Sequence, residues 1–219
     1  MSMMGSPAAA SCVILANLLA VVTGIESPQY TVIHSESDFE IRVYRESTWM
    51  SASSDKISFE KATKLGFHRL FQYIQGANLN SSRIRMTTPV LTSIVPDAGP
   101  LHSSAYSIRF YLPSKFHAYP PIPLPELNLH PVHWPTRCVA IRQFSGFARD
   151  NNIVKEAEKL AVSLRKSPWA NSTDSFDKNS YSIAQYNSPF HFVGRINEVW
   201  ADIDASKIPG CESGRVAAY

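Results

Sequence analysis

Hydrophobic and polar residues alternate along several short segments of the chain, and a period of two residues is typical of half-buried β-strands. The pattern is clearest in residues 106–112 and 39–44, where every second side chain is apolar. Residues 30–33 precede the second of these segments and are predicted to form a hairpin with it. Further strands are predicted at residues 138–144, 181–186 and 197–203.

Two longer segments carry their apolar residues at helical spacing instead. One helix is predicted between Ser58, a suitable N-cap, and Gly76, a suitable stop. Its apolar face consists of Phe59, Ala62, Thr63, Phe67, Leu70 and Ile74. A second helix is predicted between residues 150–152, which offer caps, and Pro168. Its apolar face consists of Ile153, Val154, Ala157, Leu160, Ala161 and Leu164, so both helices are amphipathic.

One pattern occurs twice in the chain. At residues 83–90 and again at 183–190, a strand that follows a helix ends in two small polar residues, a proline and an apolar residue. Because proline cannot donate a hydrogen bond to a sheet, each copy marks a strand edge or bend. Self-similarity on this scale indicates a duplicated supersecondary unit. A cleft beside such a sheet is a natural site for a small ligand.

The two units are predicted to form one domain over residues 25–205, with repeats at about 28–113 and 136–205. Residues 113–135 are rich in proline and are predicted to be an extended connector, and residues 206–219 form a C-terminal tail. The predicted fold class is α+β. We expect a distorted antiparallel β-barrel of about eight strands with two amphipathic helices and pseudo-twofold symmetry.

The N-terminal segment has the composition of a targeting signal. Residues 1–24 contain no charged side chain, and residues 12–22 are mostly apolar. This predicts a cleaved secretory signal, a mature chain that starts near Ile25, and a location outside the cell or in the vacuole. The alternative is an uncleaved anchor, although the apolar run is short for a bilayer span. No membrane span is predicted in the mature chain.

Cysteines and glycosylation motifs also bear on the compartment. Removal of the signal leaves Cys138 and Cys211, which either form a disulfide in an oxidising compartment or remain two free thiols. The sequence favours neither alternative. Asn80 and Asn171 each begin an Asn-x-Ser/Thr motif after a predicted helix, where N-glycosylation is expected.

Composition excludes several function classes. The chain has 21 Lys and Arg against 18 Asp and Glu, a net charge of +3, and no basic block, so we expect no nucleic-acid partner. No serine-nucleophile elbow, zinc-protease motif, paired-cysteine motif or glycine-rich phosphate loop occurs. His130 and His133 lie in the proline-rich connector and are interpreted as solvated loop residues rather than metal ligands. These observations predict a secreted, monomeric, β-rich binding domain.

Several ordered segments resemble the SOUL haem-binding family. Residues 84–90 (IRMTTPV) are similar to the family's I-x-M-T-x-P-V segment, and residues 186–190 (YNSPF) to its Y-N-x-P segment. Residues 195–200 (RINEVW) fit its R-x-N-E-V-W segment, and residues 39–44 and 144–147 also fit. The resemblance covers roughly residues 27–202 and looks like the secreted plant branch of the family.

The resemblance implies the same two-repeat barrel and the binding of haem or related porphyrins without an established reaction. The ligand is expected in an apolar cleft beside the first helix, near the loop after Y-N-x-P. Some members carry a histidine, proposed as an axial iron ligand, where this chain has Val43. Valine cannot coordinate iron, so binding depends on apolar burial of the macrocycle or on a different ligand.

Helix geometry and the resemblance together give a candidate site. Phe67 and Phe71 lie one turn apart at the edge of the apolar face, with Lys64 and His68 on the more exposed side. This arrangement offers two aromatic faces for a porphyrin and a cation for its propionates. His191 matches a basic position in a relative and is the candidate iron ligand. The alternatives are a core role for Phe67 and Phe71, and ordinary solvated positions for both histidines.

The leading hypothesis is a non-enzymatic tetrapyrrole carrier, buffer or scavenger. The alternatives are a protein-interaction module with the same barrel, and an enzyme that acts on a tetrapyrrole. Four large side chains are predicted to serve mainly the packing of the barrel, namely Trp49, Met86, Tyr186 and Trp200. Asn197 and Glu198 are predicted to satisfy backbone groups at the start of a strand.

Overall fold

The computed structural model describes residues 24–55, 58–95, 104–170, 180–188 and 190–211. Its nine strands are β1 (Tyr30–Ser35), β2 (Glu40–Tyr44), β3 (Ser47–Ser54), β4 (Val90–Val95), β5 (Ala105–Tyr111), β6 (Leu129–Trp134), β7 (Arg137–Ser145), β8 (Tyr181–Gln185) and β9 (Ile196–Asp202). Its two α-helices are α1 (Phe59–Ile74) and α2 (Ile153–Lys166). The predicted signal up to residue 23, the motif at Asn171, and Pro189 lie outside the described residues.

All nine strands form one antiparallel sheet in the order β1-β2-β7-β9-β8-β4-β5-β3-β6. The sheet curls into a half-barrel, with α1 packed against β3, β4 and β5 and α2 against β7 and β9. The predicted α+β class with an antiparallel barrel-like sheet and two helices is therefore confirmed. Among the described residues, no helix is both long and apolar enough to cross a bilayer.

The ninth strand lies inside the predicted connector. β6 pairs with β3, and Pro131 stands opposite Met50. β6 is the last strand of the sheet, and an edge strand tolerates proline because its missing N–H can face away from the ladder. His130 and His133 are exposed, as expected, but they lie on this strand rather than in a loop.

Helix α1 begins and ends where its sequence predicts. The Ser58 side chain accepts a hydrogen bond from the Lys61 N–H (3.3 Å), and Gly76 adopts a φ of 116° just after the helix. A second cap comes from the loop that precedes α2. Asp150 accepts hydrogen bonds from the Phe59 N–H (2.7 Å) and the Ser58 hydroxyl (2.8 Å). The loop before α2 is therefore fixed to the start of α1.

The sheet buries apolar side chains on both faces. On the face that meets the helices, fully buried residues such as Ile108 and Leu70 belong to the main core. A second, aromatic-rich cluster contains Trp49, Tyr111 and Trp200. Along their strands, Trp49 and Tyr111 are each directly adjacent to residues of the main core. Because successive side chains of a strand point to opposite faces of the sheet, this aromatic cluster lies on the opposite face. The predicted packing role of Trp49 is confirmed, since its side chain is fully buried.

Cys138 and Cys211 form a disulfide, with Cα atoms 5.7 Å apart. The structure thus decides between the two alternatives that the sequence left open. The bond joins β7 to the segment that follows β9 and closes a loop of 73 residues.

Candidate functional site

A cleft of about 430 Å³ lies along α1, on the helix-bearing side of the sheet. We call it the α1 cleft. Five of its lining residues come from α1 itself, namely Phe59, Glu60, Thr63, Lys64 and Phe67. The others come from the start of β4, the loops before α2 and around residues 185–195, and they are Val90, Phe147, Ala148, Gln185, Asn187 and Arg195. Segments from both halves of the chain therefore form the cleft together.

Phe67 forms the aromatic part of the α1 wall. Its half-buried ring meets the edge of Phe110 at a centroid distance of 5.4 Å. Phe71 stacks on the other side, with centroids 5.8 Å apart and ring planes 13° from parallel. Phe71 is 41% exposed and lies beside the cleft lining rather than in it. Phe67 thus combines a packing role with an open position in the cleft.

Arg195 organises the opposite wall. Its Nη1 donates hydrogen bonds to the carbonyl oxygens of Ser188 (2.8 Å) and His191 (2.7 Å). Its guanidinium carbon lies 4.4 Å from the centroid of Phe147, within range of a cation–π interaction. Burial lowers the pKa of Arg195 from its ordinary value. Its buried Nε has no hydrogen-bond partner among the described residues. This arginine therefore fixes the loop and retains one unsatisfied donor.

The structure places the predicted site residues in three groups. Lys64 and Phe67 line the α1 cleft. Phe71 stacks on Phe67 at its edge. His68 is an exposed residue of α1, and His191 is an exposed residue of the 187–195 loop, and neither belongs to the cleft lining. Within the described part of the chain, His191 forms its hydrogen bonds through the main chain, with Ser188 and Arg195.

The lining residues fit an apolar macrocycle with acidic substituents. Phe67, Phe147 and Val90 supply apolar surface, while Lys64 and Arg195 supply positive charge. Among the described lining residues, none is a histidine, cysteine, methionine or tyrosine, the side chains that ligate haem iron. Val43 lies on β2, opposite Cys138, and packs against the main core. The lining therefore fits a porphyrin ring better than it fits a protein-ligated iron.

Nine of the eleven lining residues were not predicted as site residues, among them three loop residues, Phe147, Asn187 and Arg195. All three lie in the segments that carry the family resemblance, which is the signal that could have identified them. Their roles depend on loop contacts. The Asn187 side chain, for example, accepts a hydrogen bond from the Ile196 N–H (2.6 Å) across nine residues. Such contacts have no periodicity that a sequence could display.

The opposite face of the sheet contains a buried polar network. Glu198 accepts hydrogen bonds from Arg42 Nη1 (2.9 Å), the Tyr186 hydroxyl (2.6 Å) and Trp200 Nε1 (2.7 Å). Burial and the Glu198 charge both raise the pKa of Tyr186, so its hydroxyl remains a donor. The prediction that Glu198 serves backbone groups is wrong. Glu198 lies on β9, in the interior of the sheet, and its carboxylate contacts the side chains of neighbouring residues instead. The prediction is confirmed for Asn197, which donates to the Gly146 carbonyl (2.8 Å).

Comparisons with known proteins show the family. A model described as SOUL heme-binding protein matches residues 25–202, and this chain belongs to that family. Heme-binding protein 2 from Homo sapiens is 35% identical over 162 residues, which cover 74% of this chain and 76% of the human protein. Heme-binding protein 1 from Xenopus laevis is 28% identical over 162 residues, covering 74% and 82% of the two chains.

Among solved structures, the EcmrR C-terminal domain aligns with a TM-score of 0.48 at 10% sequence identity. The alignment covers 80% of this chain and 97% of that one.

Proposed function

We propose that this protein binds haem or a related tetrapyrrole in the α1 cleft, without catalysing a reaction, as a carrier, buffer or scavenger. Membership of the SOUL family and the names of the relatives support a tetrapyrrole ligand. The observation that carries the location is the apolar α1 cleft, with Phe67 in its wall and cations on both sides. The macrocycle packs against Phe67 and Phe147, and its propionates reach Lys64 and Arg195.

Apolar contact supplies most of the affinity in this proposal. Burial of apolar surface contributes about 25 cal/mol per Å², whereas charge-assisted hydrogen bonds at the rim mainly orient the propionates. Val43 stands where some family members carry a histidine, so an iron ligand has to come from another position. His191 is the candidate, because its exposed ring lies on the loop that Arg195 fixes beside the cleft.

We also propose that the protein is a secreted member of the family, of the plant type that the sequence resembles. The Cys138–Cys211 disulfide supports an oxidising compartment, such as the secretory pathway, the cell exterior or the vacuole. Asn80 is exposed in the turn after α1, as N-glycosylation requires. We take the protein to be monomeric.

A haemin titration of the purified protein, followed through the Soret band, tests the proposal. We expect saturable binding with a shifted and sharpened band. Replacement of Phe71 and His191 by alanine together should weaken the binding and, if His191 ligates iron, move the band towards that of unligated haemin. A wild-type titration indistinguishable from that of an unrelated protein would refute tetrapyrrole binding. An unchanged affinity in the double variant would refute the roles of these two residues alone.

A further inference from the structure

A second pocket, of about 220 Å³, lies on the face of the sheet that points away from the helices. We call it the arginine pocket. The alternation of side chains along two strands fixes this placement. Thr92 contacts Thr63 of α1 at 3.0 Å, so the adjacent Ser93 faces the other way. Ile108 packs under Gly66 of α1, so the adjacent Arg109 also faces away from the helices.

Two arginines and a tryptophan form the centre of the pocket. The guanidinium carbon of Arg137 lies 4.1 Å from the ring centroid of Trp134, and that of Arg109 lies 5.4 Å from it. Stacking on one indole positions both cations without neutralising them. Two hydroxyl groups, those of Ser93 and Ser182, stand 2.8 Å apart in the same lining.

The charges of the two arginines are unequally compensated. Arg137 forms an ion pair with Asp202 at the rim. Arg109 donates to the Ser93 hydroxyl through Nη1, but it has no ion pair with any described residue. Its Nε is buried and has no hydrogen-bond partner among the described residues. The pocket therefore contains a fixed positive charge with an unsatisfied donor.

The environment of Arg109 makes that charge costly. Burial, together with the nearby positive charge of Arg137, lowers the pKa of Arg109 to about 10, although the Asp202 carboxylate acts in the opposite direction. An anion in the pocket would offset the cost of burial, because its oxygen atoms replace lost water as hydrogen-bond partners of the guanidinium. Its negative charge would also offset the repulsion between Arg109 and Arg137. A planar guanidinium is also the side chain best suited to bind two oxygen atoms of one ligand group.

We propose that the arginine pocket binds a compact oxyanion, the carboxylate or phosphate group of a small molecule, on the guanidinium of Arg109. Arg137 adds positive charge, and the Ser182 hydroxyl adds a hydrogen-bond donor. The pocket shares no lining residue with the α1 cleft. Its volume equals that of roughly seven water molecules in liquid water, which limits the ligand to a small molecule. The site is thus independent of tetrapyrrole binding.

Calorimetric and tryptophan-fluorescence titrations with two probes test this proposal. Inorganic phosphate and benzoate are titrated separately at constant ionic strength, so that general screening is the same throughout. We expect saturable binding of at least one probe, and the probe that binds identifies the group. The Arg109→Gln variant should bind it at least about tenfold more weakly, as loss of a charge-assisted contact predicts. The control Arg83→Gln removes the same charge from an exposed loop and should not change the affinity.

Circular dichroism and a haemin titration accompany the variants. If Arg109→Gln does not fold, Arg137→Gln at the rim replaces it, with the same expected direction. Absence of saturable binding of both probes to the wild-type protein would overturn the proposal. Equal affinity of the wild-type protein and the variant would also overturn it. Competition between the probe and haemin that persists in Arg109→Gln would also overturn the proposal, because such competition would place the anion in the α1 cleft.

Discussion

The contact between α1 and β5 can be tested at Gly66, where two physical effects oppose each other. Replacing glycine with alanine inside a helix usually stabilises it by about 1 kcal/mol. In this helix, however, an added Cβ would lie 2.6–2.7 Å from three side-chain atoms of Ile108. Ordinary carbon contacts are about 3.5–4.0 Å, so one of the two elements must move.

The surroundings of Ile108 decide which effect wins. Its side chain is fully buried, and its strand is paired on both sides, opposite Ala52 of β3 and Thr92 of β4. β5 therefore cannot move away from α1 without breaking its pairing. Overpacking of a fully buried core position costs about 1–3 kcal/mol or more. We expect Gly66→Ala to destabilise the protein by a net of about 1–2 kcal/mol. For a chain of this size, that lowers Tm by about 2–8 °C.

Denaturant unfolding of four proteins measures this coupling: the wild type, Gly66→Ala, Ile108→Ala and the double variant. Ile108→Ala alone should cost about 2–5 kcal/mol through the cavity it leaves. In the double variant the new methyl group enters that cavity, so the two changes should couple favourably by about 1 kcal/mol or more. A Gly66→Ala protein that is as stable as the wild type, or more stable, would refute the close helix–strand contact.

Three further predictions concern contacts between segments that are far apart in the sequence. Partial burial of Asp150 would raise its pKa, but hydrogen bonds at the N-terminus of α1 outweigh this effect and lower it. The stability that Asp150 contributes is therefore fully present above the pKa that it has in the unfolded chain, and it is lost as the pH falls through the pKa of the folded protein. Asp150→Asn should cost about 1 kcal/mol at pH 7 and flatten the stability profile in acid, measured by thermal melts from pH 7 to 3. Glu198→Gln should cost about 3 kcal/mol in denaturant unfolding, because Arg42 loses its buried carboxylate partner and retains the ion pair with the more exposed Glu40. Reduction of the Cys138–Cys211 disulfide should lower the unfolding free energy by about 2–4 kcal/mol, measured with and without reductant.

Most of the fold could be predicted because it depends on local periodicity. The alternation at residues 106–112 and the helical stripe at residues 59–74 follow from one-sided burial, and such burial is visible in the chain itself. Strand β6 was missed because its sequence contains Pro131, which removes the backbone donor that a central strand needs. Only its position at the edge of the sheet permits it.

The site could be predicted only where it lies on a helix. The spacing of Lys64 and Phe67 on α1 was enough to place both in the same wall. The other wall is made by loops whose shape depends on long-range hydrogen bonds, such as those of Arg195 to the main chain at Ser188 and His191. No local pattern in the sequence encodes those bonds.

We propose that the α1 cleft binds a tetrapyrrole with its acidic groups towards Lys64. A fluorescence titration with metal-free protoporphyrin IX tests it most directly, because iron ligation then plays no part. We predict saturable binding that Lys64→Glu weakens by about three- to tenfold. Lys155→Glu, the same charge change at an exposed position of α2, should have no effect. Equal affinities for both variants, or no saturable binding to the wild-type protein, would contradict the account.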